Sequence, residues 1–333
     1  MADLGAEVTK VESPQGDDTP TWALPLSTVK TINRPLIFIV LTGEKTALPS
    51  IFGDAAGLKK LKSIIADSDI LVENLKVGGL EKFGLVYESL KAENPKLVYC
   101  SVTGFGQDGP YASRAGYDFL IQGMSGIMSL TGEPDGPPQK IGVAFADVFS
   151  GLYGVIGIQG ALTERNTSGL GQHIDISLLD CMTGVLANQA MNYLASGNTP
   201  KRLGNAHPNI APYQTFATSD GDIIVACWND RQFSALCGVL GLDHLGTYPK
   251  FTTNPERVSN RAALTSLLGT EIQGWTKHNI LQAMETAVVP AAPINTVTEA
   301  LNDPKIVHRG LPINPEGVPG CERHCHFQDQ NCH

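Results

Sequence analysis

Charged side chains are scarce in this sequence. Lysine, arginine, aspartate and glutamate make up 17% of the 333 residues, against about 25% in an average soluble protein. The 24 basic side chains are outnumbered by 33 acidic ones, which gives a formal net charge of −9. Such a chain lacks the electrostatic footprint of a nucleic-acid-binding protein. We therefore expect no nucleic-acid partner, and we expect the low charge to reflect a large buried surface that includes a subunit interface.

Secretion signals and long hydrophobic runs are also missing. Residues 1–8 contain neither the basic segment nor the apolar core of a signal peptide. No uninterrupted apolar run approaches the roughly 18 residues that a membrane-spanning helix needs. Of the seven cysteines, four stand in apolar runs that are typical of buried, reduced thiols. The sequence thus predicts a cytoplasmic protein without a membrane partner.

Strand-like runs alternate with helical patterns in the first half of the chain. The strand-like runs are residues 6–12, 69–74, 97–103 and 172–177, and the helical patterns are residues 55–67, 118–130 and 147–165. A further helical pattern follows the last strand to about residue 195. This alternation predicts an α/β fold in which helices cover a parallel sheet.

The composition of the chain changes at residues 199–212, which are rich in turn-forming residues. Beyond them, two β-like runs flank residues 219–222, which predicts a hairpin, and helical patterns cover residues 231–240, 257–275 and 278–288. We therefore predict a large domain over residues 1–198, a linker over 199–212, a smaller α+β domain over 213–298, and a return segment with an aberrant tail over 299–333.

Two stretches imitate known binding motifs. Gly104, Gly106 and Gly109 match the G-x-G-x-x-G fingerprint, but Pro110 follows at once, so we interpret the stretch as a turn-rich loop and not a dinucleotide site. The cysteines and histidines between residues 321 and 333 lack the paired C-x₂-C spacing of a zinc site. We expect no metal.

Asp147 stands where an apolar run passes into a helical pattern. The commonest role of an aspartate at such a place is that of an N-cap. A second interpretation is chemical, because a carboxylate beside the free N–H groups of a first helical turn is suited to act as a nucleophile. The residues alone leave both interpretations open.

Two further clusters have a structural and a chemical interpretation. Lys76 and Lys82 flank a glycine-rich turn after the strand 69–74. They are either solvated surface lysines or cations that hold phosphates beside the glycine turn. Tyr117 opens the helical pattern 118–130, where core packing is its commonest role.

Taken together, these segments resemble the class III CoA-transferases, the CaiB/BaiF family, and most of all its succinyl-CoA-dependent dicarboxylate CoA-transferases. The matching stretches follow the family's order and are residues 2–12, 71–80, 101–111, 114–118, 131–138 and 169–175. The resemblance implies a Rossmann-like large domain with a parallel sheet, a smaller α+β domain, and a homodimer of two interlocked chains.

The resemblance also implies a reaction and a site. Asp147 would attack an acyl-CoA thioester to give a mixed anhydride, and the CoA thiolate would then form an aspartyl-CoA thioester that an incoming acid attacks. Coenzyme A would be a substrate, with no tightly bound cofactor. The CoA site would be lined by Asn74, Leu75, Lys76 and Lys82, with Ala115, Gly116, Tyr117 and Asp118 close to the thioester, and the acid would be contacted by Arg202, Asn205 and His207.

Two alternatives stand beside this prediction. The related 2-methylacyl-CoA racemases have a histidine where this chain has Tyr117, and tyrosine, with an ordinary pKa of about 10, is a poor base at neutral pH. A catalytically inactive CoA-binding subunit is the second alternative. It is suggested by three departures from the family's pattern: an expected N-terminal truncation before the family's usual first strand and helix, and altered segments at residues 21–49 and 316–333.

Overall fold

The computed structural model describes residues 1–12, 46–49, 55–313 and 320–321. Most of the altered segment 21–49 and the cysteine- and histidine-containing tail after residue 321 lie outside the described residues. The chain divides into two compact units. The first comprises residues 1–125, 142–186 and 300–333, and the second comprises residues 126–141 and 187–299. The contacts thus group residues 199–212 with the second unit, and the domain limits inferred from the sequence stay a prediction.

The described residues contain ten strands and fourteen α-helices. The strands are β1 (Thr9–Glu12), β2 (Thr46–Pro49), β3 (Ile70–Glu73), β4 (Val98–Thr103), β5 (His173–Ser177), β6 (Tyr213–Thr218), β7 (Gly221–Ala226), β8 (Ala291–Pro293), β9 (Pro312–Ile313) and β10 (Gly320–Cys321). The helices are α1 (Ala55–Ala66), α2 (Tyr87–Leu90), α3 (Asp118–Met124), α4 (Ile127–Leu130), α5 (Phe145–Ser168), α6 (Leu178–Gly184), α7 (Ala187–Ser196), α8 (Asp230–Val239), α9 (Asp243–Thr247), α10 (Asn254–Ser259), α11 (Arg261–Ile272), α12 (Lys277–Thr286), α13 (Val297–Leu301) and α14 (Pro304–His308).

The parallel sheet β3-β4-β5 organises the first unit and confirms the predicted α/β class. Successive side chains of a strand point to opposite faces, so the sheet separates apolar from polar residues. On one face, Cys100 and Ile176 belong to a core that also contains Ile158 and Ala161 of α5. On the other face, residues 73, 101 and 175 share one register position. The loops that follow β3, β4 and β5 therefore emerge at one edge of the sheet, where open α/β sheets bind their ligands.

Helix α5 is long and apolar. Among the described residues it is the one helix whose length and composition would allow it to cross a membrane. The prediction that no uninterrupted apolar run approaches 18 residues holds for this helix, because Asp147, Ser150 and Gln159 interrupt its apolar residues. A helix that covers a sheet has the same composition, and α5 packs Ile158 and Ala161 against the sheet. Length and composition therefore do not assign it to a membrane.

The structure corrects three helix predictions. The pattern 118–130 is two helices, because Gly126 lies in the left-handed region at φ 90°. The pattern that follows β5 is two helices, α6 and α7, and Ala187 at the start of α7 has φ 45°. The pattern 257–275 is also two helices, and the first of them begins earlier, at a capping box formed by Thr253 and Glu256. The spacing of apolar residues gives no sign of a single residue whose backbone is not helical.

An antiparallel sheet, β6-β7-β8, organises the second unit. The predicted hairpin is confirmed, with Thr218 opposite Gly221 across a two-residue turn. Ile223 and Val225 of the sheet form one core with Phe233 of α8, Leu268 of α11 and Ile280 of α12. The segment 202–212, which contains the predicted acid-binding residues, leads directly into β6.

Val288 is a strained residue at the end of α12. It has φ 57° and is 75% exposed, and a β-branched residue is disfavoured in the left-handed region. We expect Val288→Gly to raise the free energy of unfolding by about 1 kcal/mol in a urea titration. Val297→Gly is the matched control, since Val297 is 77% exposed and begins an ordinary helix; it should lose about 0.5 kcal/mol. A loss of stability in both variants would contradict the strain.

Candidate active site

Asp147 is the third residue of α5, and the N-cap is Ala144. The N-cap interpretation of Asp147 is therefore wrong. The capping bond comes from a distant residue, because the carboxylate oxygen Oδ1 of Asp118 accepts a hydrogen bond from the Ala146 N–H at 2.7 Å. Within the described ranges no hydrogen bond to the Asp147 carboxylate is found. The helix end is thus satisfied by another acid, which leaves Asp147 available for chemistry.

Two effects raise the pKa of Asp147 above the ordinary value of an aspartate. The larger is loss of water on the side that faces the protein, and the smaller is repulsion by the negative charge of Asp118. The side chain of Asp147 is open to solvent on its other side. A carboxylate with a raised pKa is more basic, and hence more nucleophilic, than an ordinary aspartate.

Gln122 holds Asp118 in place. Its side chain is fully buried, and its Nε2 donates to Oδ2 of Asp118 at 2.7 Å and to the carbonyl of Val143 at 3.3 Å. It thereby ties α3 to the backbone that precedes α5. Sequence reasoning missed Gln122. Its spacing from Asp118, four residues along a helical pattern, is the signal that was available.

The glycine motif after β4 serves close packing of two backbones. A Cβ atom on Gly104 would lie 2.5 Å from the Cα of Gly116, and one on Gly116 would lie 2.4 Å from the Cα of Gly104. Gly106 and Gly109 adopt left-handed turns, and the next described helix begins only at Asp118. The loop therefore has the turn-rich form that the sequence predicts, and it supports the Ala115-Gly116-Tyr117-Asp118 segment. Tyr117 is 69% exposed and not packed in the core.

The turn after β3 is exposed, and two hydrogen bonds within it fix its backbone. The Leu75 N–H donates to the Glu73 carboxylate at 2.8 Å, and the Gly79 N–H donates to the carbonyl of Lys76 at 2.8 Å. A Cβ atom on Gly79 would lie 2.8 Å from that carbonyl, so the turn requires a glycine there. Asn74, Leu75, Lys76 and Lys82 are exposed. Both lysines are accessible, as contact with the phosphates of a ligand would require.

The predicted acid-binding residues all belong to the second unit. Arg202 donates from its guanidinium to the carbonyls of Glu133, Ser129 and Gly136 at 3.2, 3.4 and 2.8 Å. Three of its five N–H groups therefore hold a neighbouring turn. Asn205 Nδ2 lies 3.3 Å from the Thr215 hydroxyl, and His207 is partly buried. Asp147 and the turn 74–82 belong to the first unit.

Metal-binding side chains do not gather in the part of the chain that the structure describes, where no group of three or more such residues could hold an ion. The terminal cysteines and histidines from residue 324 onward lie outside it. Four cysteines with described side chains, Cys100, Cys181, Cys227 and Cys237, are free thiols.

Comparisons with known proteins show which proteins this chain is similar to. The family model "CoA-transferase family III" matches residues 1–318. A "Succinate--glutarate CoA-transferase" of Agrobacterium fabrum is 47% identical over 96% of this chain and 81% of its own length. A "Succinyl-CoA:glutarate CoA-transferase" of Homo sapiens is 37% identical over 95% of this chain and 72% of its own length. The crystal structure of a CaiB/BaiF family protein from Brucella suis has a TM-score of 0.87 and 55% identity, and covers 98% of this chain and 87% of that one.

Proposed function

Because the chain belongs to CoA-transferase family III, we propose that it transfers CoA from succinyl-CoA to a second small dicarboxylic acid by way of Asp147. The observation that carries this proposal is the arrangement at the start of α5, where Asp118 caps the helix and Asp147 does not. The two named relatives act on succinate and glutarate or their CoA esters, which supports dicarboxylates as the substrate class.

Four steps follow from a carboxylate nucleophile. Asp147 attacks the thioester carbonyl, the C–S bond breaks, and a mixed anhydride forms with release of the CoA thiolate. The thiolate attacks the aspartyl carbonyl of the anhydride, which releases the donor acid and leaves an aspartyl-CoA thioester. The acceptor carboxylate attacks this thioester to give a second anhydride and the thiolate. The thiolate then attacks the acyl carbonyl, which yields the new acyl-CoA and restores Asp147.

The surroundings of Asp147 suit this exchange. Each step passes through an oxyanion, and the positive end of the α5 helix dipole, at the start of the helix, favours negative charge there. The raised pKa of Asp147 makes its carboxylate more basic than that of an ordinary aspartate. Lys76 and Lys82 would bind the phosphates of CoA beside the glycine turn. No step requires a metal or a tightly bound cofactor.

The repulsion between the two aspartates predicts a pH effect. Asp147 must be ionised to attack, so transfer should decline as the pH falls through its raised pKa. Asp118→Asn keeps an oxygen for the Ala146 N–H and removes the negative charge. We expect the acid limb of the kcat/KM profile to move to lower pH in this variant. An unchanged or upward-shifted limb in the same rate measurements would contradict the coupling.

We also propose that the protein is a homodimer. Large apolar side chains of α3 and α5 are more than half exposed in the single chain, among them Phe119, Leu120, Leu152 and Ile156. Exposed large apolar side chains on two helices that pack together are typical of a protein interface, and the interlocked dimer that the family resemblance implies would cover them. Sedimentation velocity should give twice the mass of one chain. Ile156→Glu should lower that mass toward the monomer, and a monomeric wild-type protein would contradict the proposal.

The proposed site of action is the cytoplasm. The free thiols of Cys100, Cys181, Cys227 and Cys237 support a reducing compartment. Fractionation of cells that express the chain should recover it with the cytoplasmic proteins.

Mass spectrometry tests the activity directly. The full chain is incubated with succinyl-CoA and with each of several dicarboxylic acids of two to six carbons, and the CoA esters are analysed. A new acyl-CoA of the acceptor supports the proposal. Uptake of deuterium at Cα of a 2-methylacyl-CoA, without exchange of the acyl group, would instead support a racemase. Binding of CoA with neither reaction would support an inactive subunit.

A further inference from the structure

The side chain of Gln122 lies between two hydrogen-bond acceptors. It is fully buried, and its Nε2 donates to Oδ2 of Asp118 at 2.7 Å and to the carbonyl of Val143 at 3.3 Å. A carboxylate and a carbonyl only accept, and the amide nitrogen of a glutamine supplies two N–H groups without a charge. A glutamate there would bring a second negative charge beside Asp118, and an apolar side chain would supply no donor. The position therefore favours a neutral donor of this length.

Asp118 is held through both of its carboxylate oxygens. Oδ2 accepts a hydrogen bond from Gln122, and Oδ1 accepts one from the Ala146 N–H at 2.7 Å. Hydrogen bonds to an ionised group are stronger than those between neutral groups, and rotation of the carboxylate would break one of these two. Asp118 is partly exposed, so without Gln122 it could turn toward water. Gln122 thus keeps the capping bond of α5 in place.

The position of Asp118 affects Asp147, the third residue of α5. Burial raises the pKa of Asp147 most, and the negative charge of Asp118 raises this pKa further. Of the neighbouring elements, β5 contributes apolar side chains to the contact with α5, β4 contributes the thiol of Cys100, and α6 contributes Asp180 and Cys181. Burial raises the pKa of Cys100 to about 11 and also raises that of Cys181, so neither thiol is charged near neutral pH. The charge that acts on Asp147 is that of Asp118.

We propose that Gln122 is a positioning residue for CoA transfer, which fixes the Asp118 carboxylate at the start of α5 and thereby sets the reactivity of Asp147. This inference rests on the proposed function. The three residues belong to the first unit. A side chain that only filled the core would affect the stability of the fold and not the ionisation of Asp147.

Two variants separate positioning from stability. Gln122→Met keeps the length of the side chain and removes both hydrogen bonds without adding a charge. Gln122→Glu keeps the shape, and its carboxyl group can donate to Asp118 only when it is neutral. Gln172→Glu is the matched control, because Gln172 is exposed and its Nε2 donates to the Glu164 carboxylate at 2.8 Å. The same chemical change is thus made beside another carboxylate of the first unit.

The first readout does not require turnover. Circular dichroism and thermal unfolding establish that each variant is folded. Carboxyl ¹³C spectra of protein labelled at aspartate then follow the ionisation of each side chain with pH, and Asp147→Asn assigns the signal of Asp147. We expect the midpoint of Asp147 to lie at lower pH in Gln122→Met than in the wild type, because Asp118 is no longer held beside it, and to be unchanged in Gln172→Glu. An unchanged midpoint in Gln122→Met would overturn the inference.

The second readout is the kinetics of transfer. We expect Gln122→Met to lower kcat by about tenfold, the effect of one lost hydrogen bond to a charged group, with KM for succinyl-CoA unchanged. The carboxyl group introduced by Gln122→Glu donates to Asp118 when neutral and repels it when ionised. The rate of this variant relative to the wild type should therefore fall as the pH rises, whereas the same ratio for Gln172→Glu should be constant.

A double variant tests the route through Asp118. Gln122→Met alone should move the acid limb of kcat/KM to lower pH, as Asp118→Asn does, but it should move the limb no further once Asp118→Asn is present, because both changes act through one group. Additive shifts would overturn the inference. An equal loss of rate at every pH in Gln122→Glu, or failure of both Gln122 variants to fold, would show a purely structural role and also overturn it. Absence of transfer by the wild type would instead refute the proposed function, and the Asp147 midpoint would still test the role of Gln122.

Discussion

Asp147→Asn is expected to lower kcat for CoA transfer by about 10⁴-fold or more, because the amide is not a nucleophile and no anhydride can form. The substitution keeps the shape of the side chain, and the cap of α5 is supplied by Asp118. The loss should therefore reflect the missing carboxylate alone. Transfer is measured as the initial rate of new acyl-CoA formation from succinyl-CoA.

The stability of the same variant provides the control. The pKa of Asp147 is raised in the folded protein, so the fold loses stability as the pH rises through that pKa and Asp147 ionises. At neutral pH the charge is therefore unfavourable, and Asp147→Asn should unfold at an equal or higher temperature than the wild type. Transfer within tenfold of the wild-type rate, in a folded variant, would contradict the role of Asp147.

Gly116→Ala is expected to cause the second largest loss. A Cβ atom at this position would lie 2.4 Å from the Cα of Gly104, and neither backbone can move without displacing the loop that carries Tyr117 and Asp118. We expect the free energy of unfolding to fall by about 2 to 3 kcal/mol, the cost of overpacking. We expect kcat/KM to fall by about 10²-fold, because a misplaced Asp118 no longer supports the start of α5. Both are measured on the purified variant.

Gly184→Ala is the matched control for this substitution. Gly184 is the last residue of α6, and an added Cβ atom would meet nothing within 4 Å. Alanine is favoured over glycine in a helix, so this variant should gain about 0.5 to 1 kcal/mol and keep its activity. Equal stability of Gly116→Ala and Gly184→Ala would show that the contact between residues 104 and 116 is not required.

Much of the fold could be predicted because its signals are local. The alternation of apolar runs and helical patterns predicted β3, β4 and β5, and the turn residues between β6 and β7 predicted the hairpin. The breaks at Gly126 and Ala187 were missed, because a single residue with positive φ leaves the apolar period on both sides intact. Residues 21–45 lie outside the described ranges, so their prediction remains untested.

The candidate site was only partly predictable for a different reason. A pattern indicates that a residue such as Asp147 stands at a helix start, but it does not show which carboxylate caps the helix. That assignment depends on Asp118, which lies on another helix. The hydrogen bonds from Arg261 to the carbonyls of Pro208 and Ile210 were missed in the same way, since these residues are far apart in the sequence and meet only in the folded chain. The family resemblance predicted the roles of Asp147 and Asp118, and the hydrogen bonds in the structure show how the two residues are arranged.

Covalent attachment of CoA to Asp147 can be detected directly. The chain is mixed with succinyl-CoA in the absence of acceptor, quenched and digested, and the peptides are analysed by mass spectrometry. We predict a CoA thioester on the peptide that contains Asp147, which hydroxylamine converts to a hydroxamate at that residue and which disappears in Asp147→Asn. A CoA adduct on any other residue, or active transfer without an adduct at Asp147, would contradict the account.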